Sequence, residues 1–378
     1  MTDRPKIITF GELLLRFSKD QHQRLSQGRM FTSMYGGSEA NVAVSLATLG
    51  DDVDYVTRLP DTPVGHAGAQ SMMQMGVGMS RTVWGGTRLG TYYLEPAAGM
   101  RASKVVYDRA GSAYSELRPG MIPWREILKG ASVLHVSGIA TAITQHAADA
   151  TFEAMDVADE MGVKVSLDLN YRKNLWRYGA DPRETIGRML ARCDMMFGDA
   201  IEFEWLCQRS QPPFTATDTS FEMQMDEYGE WFRDLHSQYP RCQRWLMGMR
   251  NMVASSRHLL TALLYTCEGG HGTDTEPARN EGLGTGTEPA RTDGYVLLRS
   301  VIHDIQGVVD PSGVGDAFMA GMLHNAFRTG LSEQYILDYA LAAATMKNTI
   351  IGDFNLATDE EIQDLLRSPG GSYTMARR

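Results

Sequence analysis

Short apolar runs alternate with helical patterns along most of this chain. The runs typical of buried strands cover residues 6–10, 53–56, 133–136, 163–169, 195–197 and 245–249. Apolar residues at helical spacing predict helices over 39–49, 142–161, 316–327 and 333–347. Gly50 follows the first helix as a C-terminal cap, and Ser332 precedes the last as an N-cap. Strands that alternate with helices predict an α/β fold whose mostly parallel sheet is covered on both faces.

Polar residues follow several of these strands. Gly11-Glu12, residues 168–170 and Gly198-Asp199 come where a strand ends. Ligands of parallel sheets bind beyond the carboxyl ends of the strands. We therefore expect these positions to lie at the edge of a ligand site.

Residues 88–118 break the alternation, because they contain two β-like segments and no helical pattern. Together with residues 12–34 they predict a small β lid; the alternative is an ordinary hairpin at the edge of the main sheet. The main domain would then comprise residues 1–11, 35–87 and 119–367. Leu13, Leu15 and Tyr93 are expected on an exposed lid surface that could pair with a second copy of the chain as a homodimer.

Residues 268–294 have an unusual composition. Residues 272–279 nearly repeat as 284–291, and Gly, Thr and Pro dominate without an apolar period. This pattern predicts a solvated insertion within a hairpin. A binding loop is the alternative, although nothing in the segment suits chemistry. Residues 368–378 are expected to form a tail.

Composition and charge narrow the function classes. The chain has 378 residues, of which 43% are hydrophobic and 22% charged, and a net charge of −10. An acidic chain without a basic run is not expected to bind nucleic acid or an anionic membrane. The four cysteines form no C-x-x-C pair, and no apolar export or membrane segment occurs. A reducing, cytoplasmic location is therefore expected.

The segment 308–318 carries the clearest chemistry. An apolar approach leads into the turn Gly313-Val314-Gly315, and a helix begins at Asp316. Backbone amides of such a turn and the helix N-terminus attract an anion, and a carboxylate beside them can accept a hydroxyl proton. The alternative is a glycine-rich turn with Asp316 as a helix cap. The sequence contains neither a P-loop motif nor a complete dinucleotide fingerprint.

Two segments resemble the signatures of the PfkB (ribokinase-like) carbohydrate kinases. Residues 36–41, Gly-Gly-Ser-Glu-Ala-Asn, resemble the first signature, and residues 310–321, with Gly-Val-Gly-Asp, resemble the second. The likeness extends from about residue 6 to 366. It implies a ribokinase-like three-layer sandwich with a small β lid. It also implies a kinase that uses ATP and Mg²⁺ to phosphorylate a small sugar.

Within this family the chain most resembles the 2-keto-3-deoxygluconate kinases. The likeness is carried by residues 11–17, 90–95, 105–113, 168–172 and 352–355. It implies Asp316 as the catalytic base and the amides of Gly313, Val314 and Gly315 as an anion hole. Arg250, in a turn at 248–250, would contact the nucleotide, and so would Gly313 and Gly315. The residues implied in sugar-acid binding are Gly36, Gly37, Asn41, Tyr92, Tyr107, Arg109 and Arg172.

The chemistry of these side chains agrees with a sugar acid. Arginine offers a planar fork of donors for a carboxylate, and tyrosine combines an apolar ring with a hydroxyl. Each has an ordinary structural alternative: Arg172 could form an ion pair with Asp168, and Tyr92 could pack within a hairpin.

The chain also departs from the family pattern. Pro311 removes one amide donor, and Val314 replaces the usual alanine. The family's Asn-x-x-Glu element appears as Asp199 and Glu202, which would then act on Mg²⁺ through bound water; the added charge could also repel the nucleotide. Two alternatives follow: another PfkB sugar kinase, of the fructokinase or ribokinase type, and a catalytically silent sugar-binding protein on the same fold.

Overall fold

The computed structural model describes residues 5–20, 22–210, 225–267, 290–292 and 294–367. The strands are β1 Lys6–Phe10, β2 Leu14–Ser18, β3 Thr32–Gly36, β4 Asp52–Val56, β5 Arg58–Leu59, β6 Val83–Trp84, β7 Gly90–Glu95, β8 Lys104–Asp108, β9 Val133–Ser137, β10 Lys164–Asp168, β11 Met195–Asp199, β12 Arg244–Ala254, β13 Arg257–Cys267, β14 Ala290–Thr292, β15 Tyr295–Arg299 and β16 His303–Gln306. The helices are α1 Ser38–Thr48, α2 Pro63–Gln74, α3 Trp124–Ile127, α4 Gly138–Ala142, α5 Gln145–Glu160, α6 Pro182–Leu190, α7 Ala200–Cys207, α8 Met225–Gln238, α9 Val314–Ala326, α10 Glu333–Lys347 and α11 Asp359–Arg367; a 3₁₀ turn covers Tyr114–Glu116.

A mixed sheet forms the middle layer of the α/β sandwich. Its order is β14-β15-β13-β12-β11-β10-β9-β1-β4, with β16 paired to β13. Strands β12, β11, β10, β9, β1 and β4 pair in parallel, whereas the pairs on the β13 side are antiparallel. The carboxyl ends of the parallel strands therefore meet at one edge, as the sequence predicts.

Side-chain alternation along the strands divides the apolar residues between two cores. Ile7 on β1 faces a core that α1, α9 and α10 complete. Ile8 faces the opposite core, to which α5, α6 and α8 contribute. Both faces of the sheet are thus covered, which explains the nearly continuous apolar runs of these strands.

A separate four-stranded sheet forms the lid. Its order is β3-β2-β7-β8, so the two predicted lid segments pair with each other rather than with the main sheet. Strand β3 ends at Gly36, two residues beyond the predicted lid boundary at 34. The expectation that Leu13 is exposed is wrong, because Leu13 is fully buried against the α1 core. Leu15 is half-buried and packs against the same core, whereas Tyr93 is half-buried on the outer lid face.

Other local predictions differ in detail. The helix predicted at 142–161 is α5, which begins at Gln145 because Thr144 caps it by accepting a hydrogen bond from the amide of Ala147 at 3.1 Å. The turn expected at 248–250 is wrong, since these residues lie inside the long strand β12. The insertion predicted at 268–294 falls largely outside the described residues, as do residues 368–378, although β13 and β15 form the flanking hairpin. Across the part of the chain that the structure describes, no helix combines the length and apolarity needed to span a bilayer.

Candidate active site

The ends of four parallel strands bring polar side chains to one edge of the sheet. Glu12 follows β1, and Ser137, Asp168 and Asp199 are the last residues of β9, β10 and β11. Glu39, in the first turn of α1, accepts hydrogen bonds from the amide and hydroxyl of Ser137 at 3.0 and 2.5 Å. The predicted clustering of residues 11–12, 168–170 and 198–199 at strand ends is confirmed.

The N-termini of α1 and α9 meet at Asp316. Its carboxylate accepts hydrogen bonds from the Ser38 hydroxyl at 2.9 Å and the Asn41 amide at 2.7 Å. Asn170 donates to the same Ser38 hydroxyl at 2.9 Å. The Asn41 side-chain oxygen in turn accepts from the backbone N–H of Gly37 at 3.2 Å. Asp316, on α9, is therefore held in one orientation by α1 and, through Ser38, by the segment that follows β10.

The pKa of Asp316 suits a group that accepts a proton. Burial raises the pKa of its carboxyl group to about 6, while the hydrogen bonds from Asn41 and Ser38 lower it. At neutral pH this group is largely ionised, yet it is more basic than an ordinary aspartate. A pKa close to the working pH is what general-base catalysis requires.

The turn at 313–315 leads into the first residues of α9. Gly313 has φ +78°, and a Cβ there would lie 2.1 Å from the Asp353 carbonyl oxygen, so only glycine fits. The amide of Ala317 makes the first helical bond, to the Gly313 carbonyl at 2.9 Å. The amides of Val314 and Gly315 precede it and lie at the positive end of the helix dipole. This geometry suits an anion.

A buried ionic network connects the lid to this turn. Arg16 on β2 donates to Asp310 at 2.6 Å and to Asp353 at 2.7 Å. Tyr92 on β7 donates its hydroxyl to the same Asp353 carboxylate. Asp310 also accepts from the Ser312 amide at 3.0 Å, which shapes the approach to the turn.

Gly36 lies against this network. A Cβ on Gly36 would lie 1.9 Å from the Asp353 carboxylate, so a larger residue would displace it. The predicted ligands Gly36 and Tyr92 are therefore neighbours, and Asp353 joins them. Tyr92 is buried and its hydroxyl donates to Asp353, so the side chain belongs to this ionic network and does not merely pack within the hairpin.

Tyr107 and Arg172 border the space between the lid and the sheet edge. Both side chains retain solvent access. Partial desolvation by neighbouring atoms lowers the pKa of Arg172, but the charges of Tyr107, Glu202, Asp168 and Asp316 outweigh this effect and raise it. Arg172 is thus an accessible cation facing the proposed base.

Arg109 already has an acidic partner. Its guanidinium donates to Glu12 at 2.6 Å, and both side chains are buried. The guanidinium also lies 5.7 Å from the centre of the Tyr107 ring. Arg109 can therefore fix Tyr107, while its direct contact with a sugar acid stays a prediction.

Asp199 and Glu202 pair with backbone at the start of α7. Asp199 accepts from the Glu202 amide at 2.8 Å, and Glu202 accepts from the Asp199 amide at 3.0 Å, which is a capping box. Burial raises the pKa of Glu202 to about 7, and burial raises that of Asp168 as well. Within the described ranges, no three His, Cys, Asp or Glu side chains group tightly enough to hold a metal directly. The residues present fit Mg²⁺ that is bound mainly by phosphates and water.

Arg250 lies on the same side of the site. Partial desolvation by neighbouring atoms lowers the pKa of its guanidinium, the charge of Asp199 raises it, and the charge of Arg172 lowers it. Its side chain is exposed. Its role toward a nucleotide stays a prediction.

Comparison with known proteins defines the class. Residues 4–238 match the pfkB family carbohydrate kinase model. The chain therefore belongs to the pfkB family of carbohydrate kinases, which are phosphotransferases with an alcohol group as acceptor.

Individual proteins of known name show which members of the family this chain is similar to. The solved 2-dehydro-3-deoxygluconokinase of Thermotoga maritima is 30% identical, with a TM-score of 0.80 over 96% of this chain and 99% of that one. The 2-dehydro-3-deoxygalactonokinase of Haloferax volcanii is 24% identical over 96% of each chain. The 2-dehydro-3-deoxygluconokinase of Bacillus subtilis is 29% identical over 54% of this chain and 63% of its own. A ribokinase II of E. coli in complex with ATP and Mg²⁺ shares the fold, with a TM-score of 0.71 at 16% identity.

The structure thus brings most of the predicted residues together around Asp316 and adds others. Sequence reasoning missed Ser38, Asn170, Arg16 and Asp353 as members of the site. Ser38 and Asn170 lie inside the quoted motifs 36–41 and 168–172. Arg16 and Asp353 also lie in quoted segments, but only tertiary structure pairs residues 337 positions apart.

Proposed function

We propose that this kinase transfers the γ-phosphoryl group of ATP to the terminal primary hydroxyl of 2-keto-3-deoxygluconate. The observation that carries the proposal is the position of Asp316, held by Ser38 and Asn41 at the N-terminus of α9 and next to the turn at 313–315. A base beside an array of amides suits phosphoryl transfer to an alcohol.

Each of these groups has a separate role in the proposed reaction. The Asp316 carboxylate accepts the hydroxyl proton as the sugar oxygen bonds to phosphorus and the bond to ADP breaks. The amides of residues 313–315 stabilise the negative charge that develops on the phosphoryl oxygens. Closure of the lid over the sugar would exclude water and limit ATP hydrolysis.

Magnesium has a place in this proposal. Mg²⁺, when bound with ATP, neutralises phosphate charge. Asp199 and Glu202 would hold it through water, since their carboxylates already accept hydrogen bonds from the start of α7. Arg250 would contact the nucleotide beside them. A cytoplasmic location belongs to the same proposal, because ATP is available there.

Recognition of a sugar acid is assigned to the space between the lid and the sheet edge. Arg172 is the accessible cation there, and Tyr107 offers a ring and a hydroxyl. Gly36, Gly37 and Asn41 would contact sugar hydroxyls from the opposite side. Arg109 would act by holding Tyr107.

A substrate panel tests this proposal. ATP turnover is measured with 2-keto-3-deoxygluconate, 2-keto-3-deoxygalactonate, fructose and ribose. We expect a preference for a keto-deoxy acid; the name of the Haloferax volcanii relative makes the galactonate the second candidate. A preference for fructose or ribose would favour the other sugar kinases, and sugar binding without turnover would favour a silent binding protein.

We also propose that two copies of the chain pair through the outer faces of their lids. This face carries Phe17, Phe31 and Tyr93, whose rings contact one another, with Val106 opposite Tyr93 in the register. Phe31 and Val106 are exposed. Strand β8 is an edge of the lid sheet, and an apolar sheet face beside an open edge favours pairing.

A further inference from the structure

A buried lysine lies directly behind the turn that is assigned to phosphate. Lys347 is the last residue of α10 and is fully shielded from solvent. Its Cε lies 3.5 Å from the position that a Cβ on Gly313 would occupy. A buried ammonium group is costly to maintain unless it is well paired. No role proposed above accounts for it.

The ammonium group joins two backbone segments. It donates to the Asp310 carbonyl at 3.1 Å and to the Ile350 carbonyl at 2.9 Å. Asp310 belongs to the approach to the turn, and Ile350 follows α10. The amide of Val309 donates to the Asn348 carbonyl at 2.8 Å, so the same segments are also connected through the main chain. The position of the turn thus depends on the end of α10.

Charged groups surround Lys347 from the lid, the approach to the turn, α9 and the segment between α10 and α11. They are Asp310, Asp353 and Asp316, which favour the ammonium form, and Arg16, which opposes it. Burial is the largest influence and lowers the pKa of Lys347 to about 8. The ammonium is therefore present at neutral pH and becomes deprotonated in mildly alkaline solution.

We propose that Lys347 is a positioning residue for phosphoryl transfer. Its ammonium group holds the Asp310 and Ile350 carbonyls so that the amides of residues 313–315 face the transferred phosphoryl group. It also supplies a positive charge behind those amides, where negative charge develops. The inference rests on the function proposed above for this turn.

The substitution Lys347→Met tests it, because methionine is similar in length and apolar. We expect kcat to fall roughly 10- to 100-fold, as for a small misplacement of reacting groups, with the KM for the sugar acid nearly unchanged. Lys19→Met is the matched control: Lys19 is also buried and donates to the Gly28 and Met30 carbonyls at 3.1 and 3.0 Å, but in the lid loop. Its kcat should stay close to that of the wild type.

The pH dependence adds a readout that a purely structural role would not move. The folded-state pKa of Lys347 lies below the unfolded value, so its deprotonation between about pH 8 and 10 increases the stability of the fold. Wild-type kcat should nevertheless fall as the pH rises through about 8. This alkaline decline should be absent in Lys347→Met.

The outcomes separate the two proposals. An active wild type whose Lys347→Met variant has a normal kcat, or loses activity only in proportion to its unfolded fraction, overturns the role of Lys347 alone. If the variant does not fold, the wild type decides the matter. A wild-type kcat that does not change with pH in the alkaline range, while the protein stays folded, also overturns the role of Lys347. A wild type without turnover on any sugar contradicts the function proposed for the turn instead.

Discussion

Replacing Arg16 by methionine should destabilise the protein by leaving two buried acids without their cation. The guanidinium lies within 2.7 Å of both Asp310 and Asp353, and all three side chains are buried. The methionine side chain can fill much of the space but cannot donate a hydrogen bond. The perturbation therefore acts mainly through charge rather than through a cavity.

The size of the effect follows from the burial of the network. Removing one partner from a buried ion pair costs about 3–5 kcal/mol, because an uncompensated charge remains. We expect the free energy of unfolding of Arg16→Met to be lower by this amount at pH 8. Burial already raises the pKa of Asp353, and loss of the nearby guanidinium should raise it further.

The sign of the pH effect gives a second test. In the variant the folded state holds the carboxyl proton more tightly than the unfolded state, so stability is regained as the pH falls. The loss relative to the wild type should therefore be smaller at pH 5 than at pH 8. The free energy of unfolding at each pH is measured by urea unfolding, which is monitored by far-ultraviolet circular dichroism.

An exposed ion pair provides the control. Arg125 pairs with Glu160 on the surface, where both side chains are more than half exposed, and Arg125→Met should cost less than about 1 kcal/mol. The reasoning is refuted if Arg16→Met costs no more than this control at pH 8, or if its loss grows as the pH falls.

Three further predictions concern the base, the substrate and the assembly. Ser38→Ala removes a hydrogen bond that lowers the pKa of Asp316. The decline of kcat at acidic pH, expected near pH 6 in the wild type, should therefore move to higher pH. An unchanged pH profile would count against Asp316 as the titrating base. Arg172→Lys should raise the KM for the keto-acid about tenfold, and much less for a neutral sugar, because lysine lacks the planar fork; equal losses would exclude a carboxylate role. Val106→Lys should convert a dimer to a monomer in light scattering without changing the fold, whereas a monomeric wild type would contradict pairing through the lid.

The sequence predicts the main architecture because its signals are local. Continuous apolar runs mark strands buried on both faces, and Gly50 and Ser332 mark helix ends by their cap chemistry. The lid is predicted as two separated segments, and their pairing in one sheet is confirmed. Leu13 is misplaced because its neighbours suggest a lid strand, whereas the chain enters the main core before β2 begins.

The candidate site is only partly predictable, since its contacts connect distant parts of the chain. The turn at 313–315 and Asp316 are visible as a motif, but the hydrogen bonds from Ser38 and Asn41 span more than 270 positions. Nothing in the local sequence pairs Arg16 with Asp353, or places Lys347 behind Gly313. Arg250 shows the converse error: a weak motif suggests a turn where the structure has a strand.

The most direct test of the account is the turnover of Asp316→Asn. Asparagine keeps the size of the side chain and one oxygen for the donors at Ser38 and Asn41, but it cannot accept the hydroxyl proton. We expect kcat with ATP and 2-keto-3-deoxygluconate to fall about 1000-fold, the scale of general-base catalysis, while calorimetry shows nearly unchanged sugar binding. Near-normal turnover in this variant would contradict the assignment of Asp316 as the catalytic base.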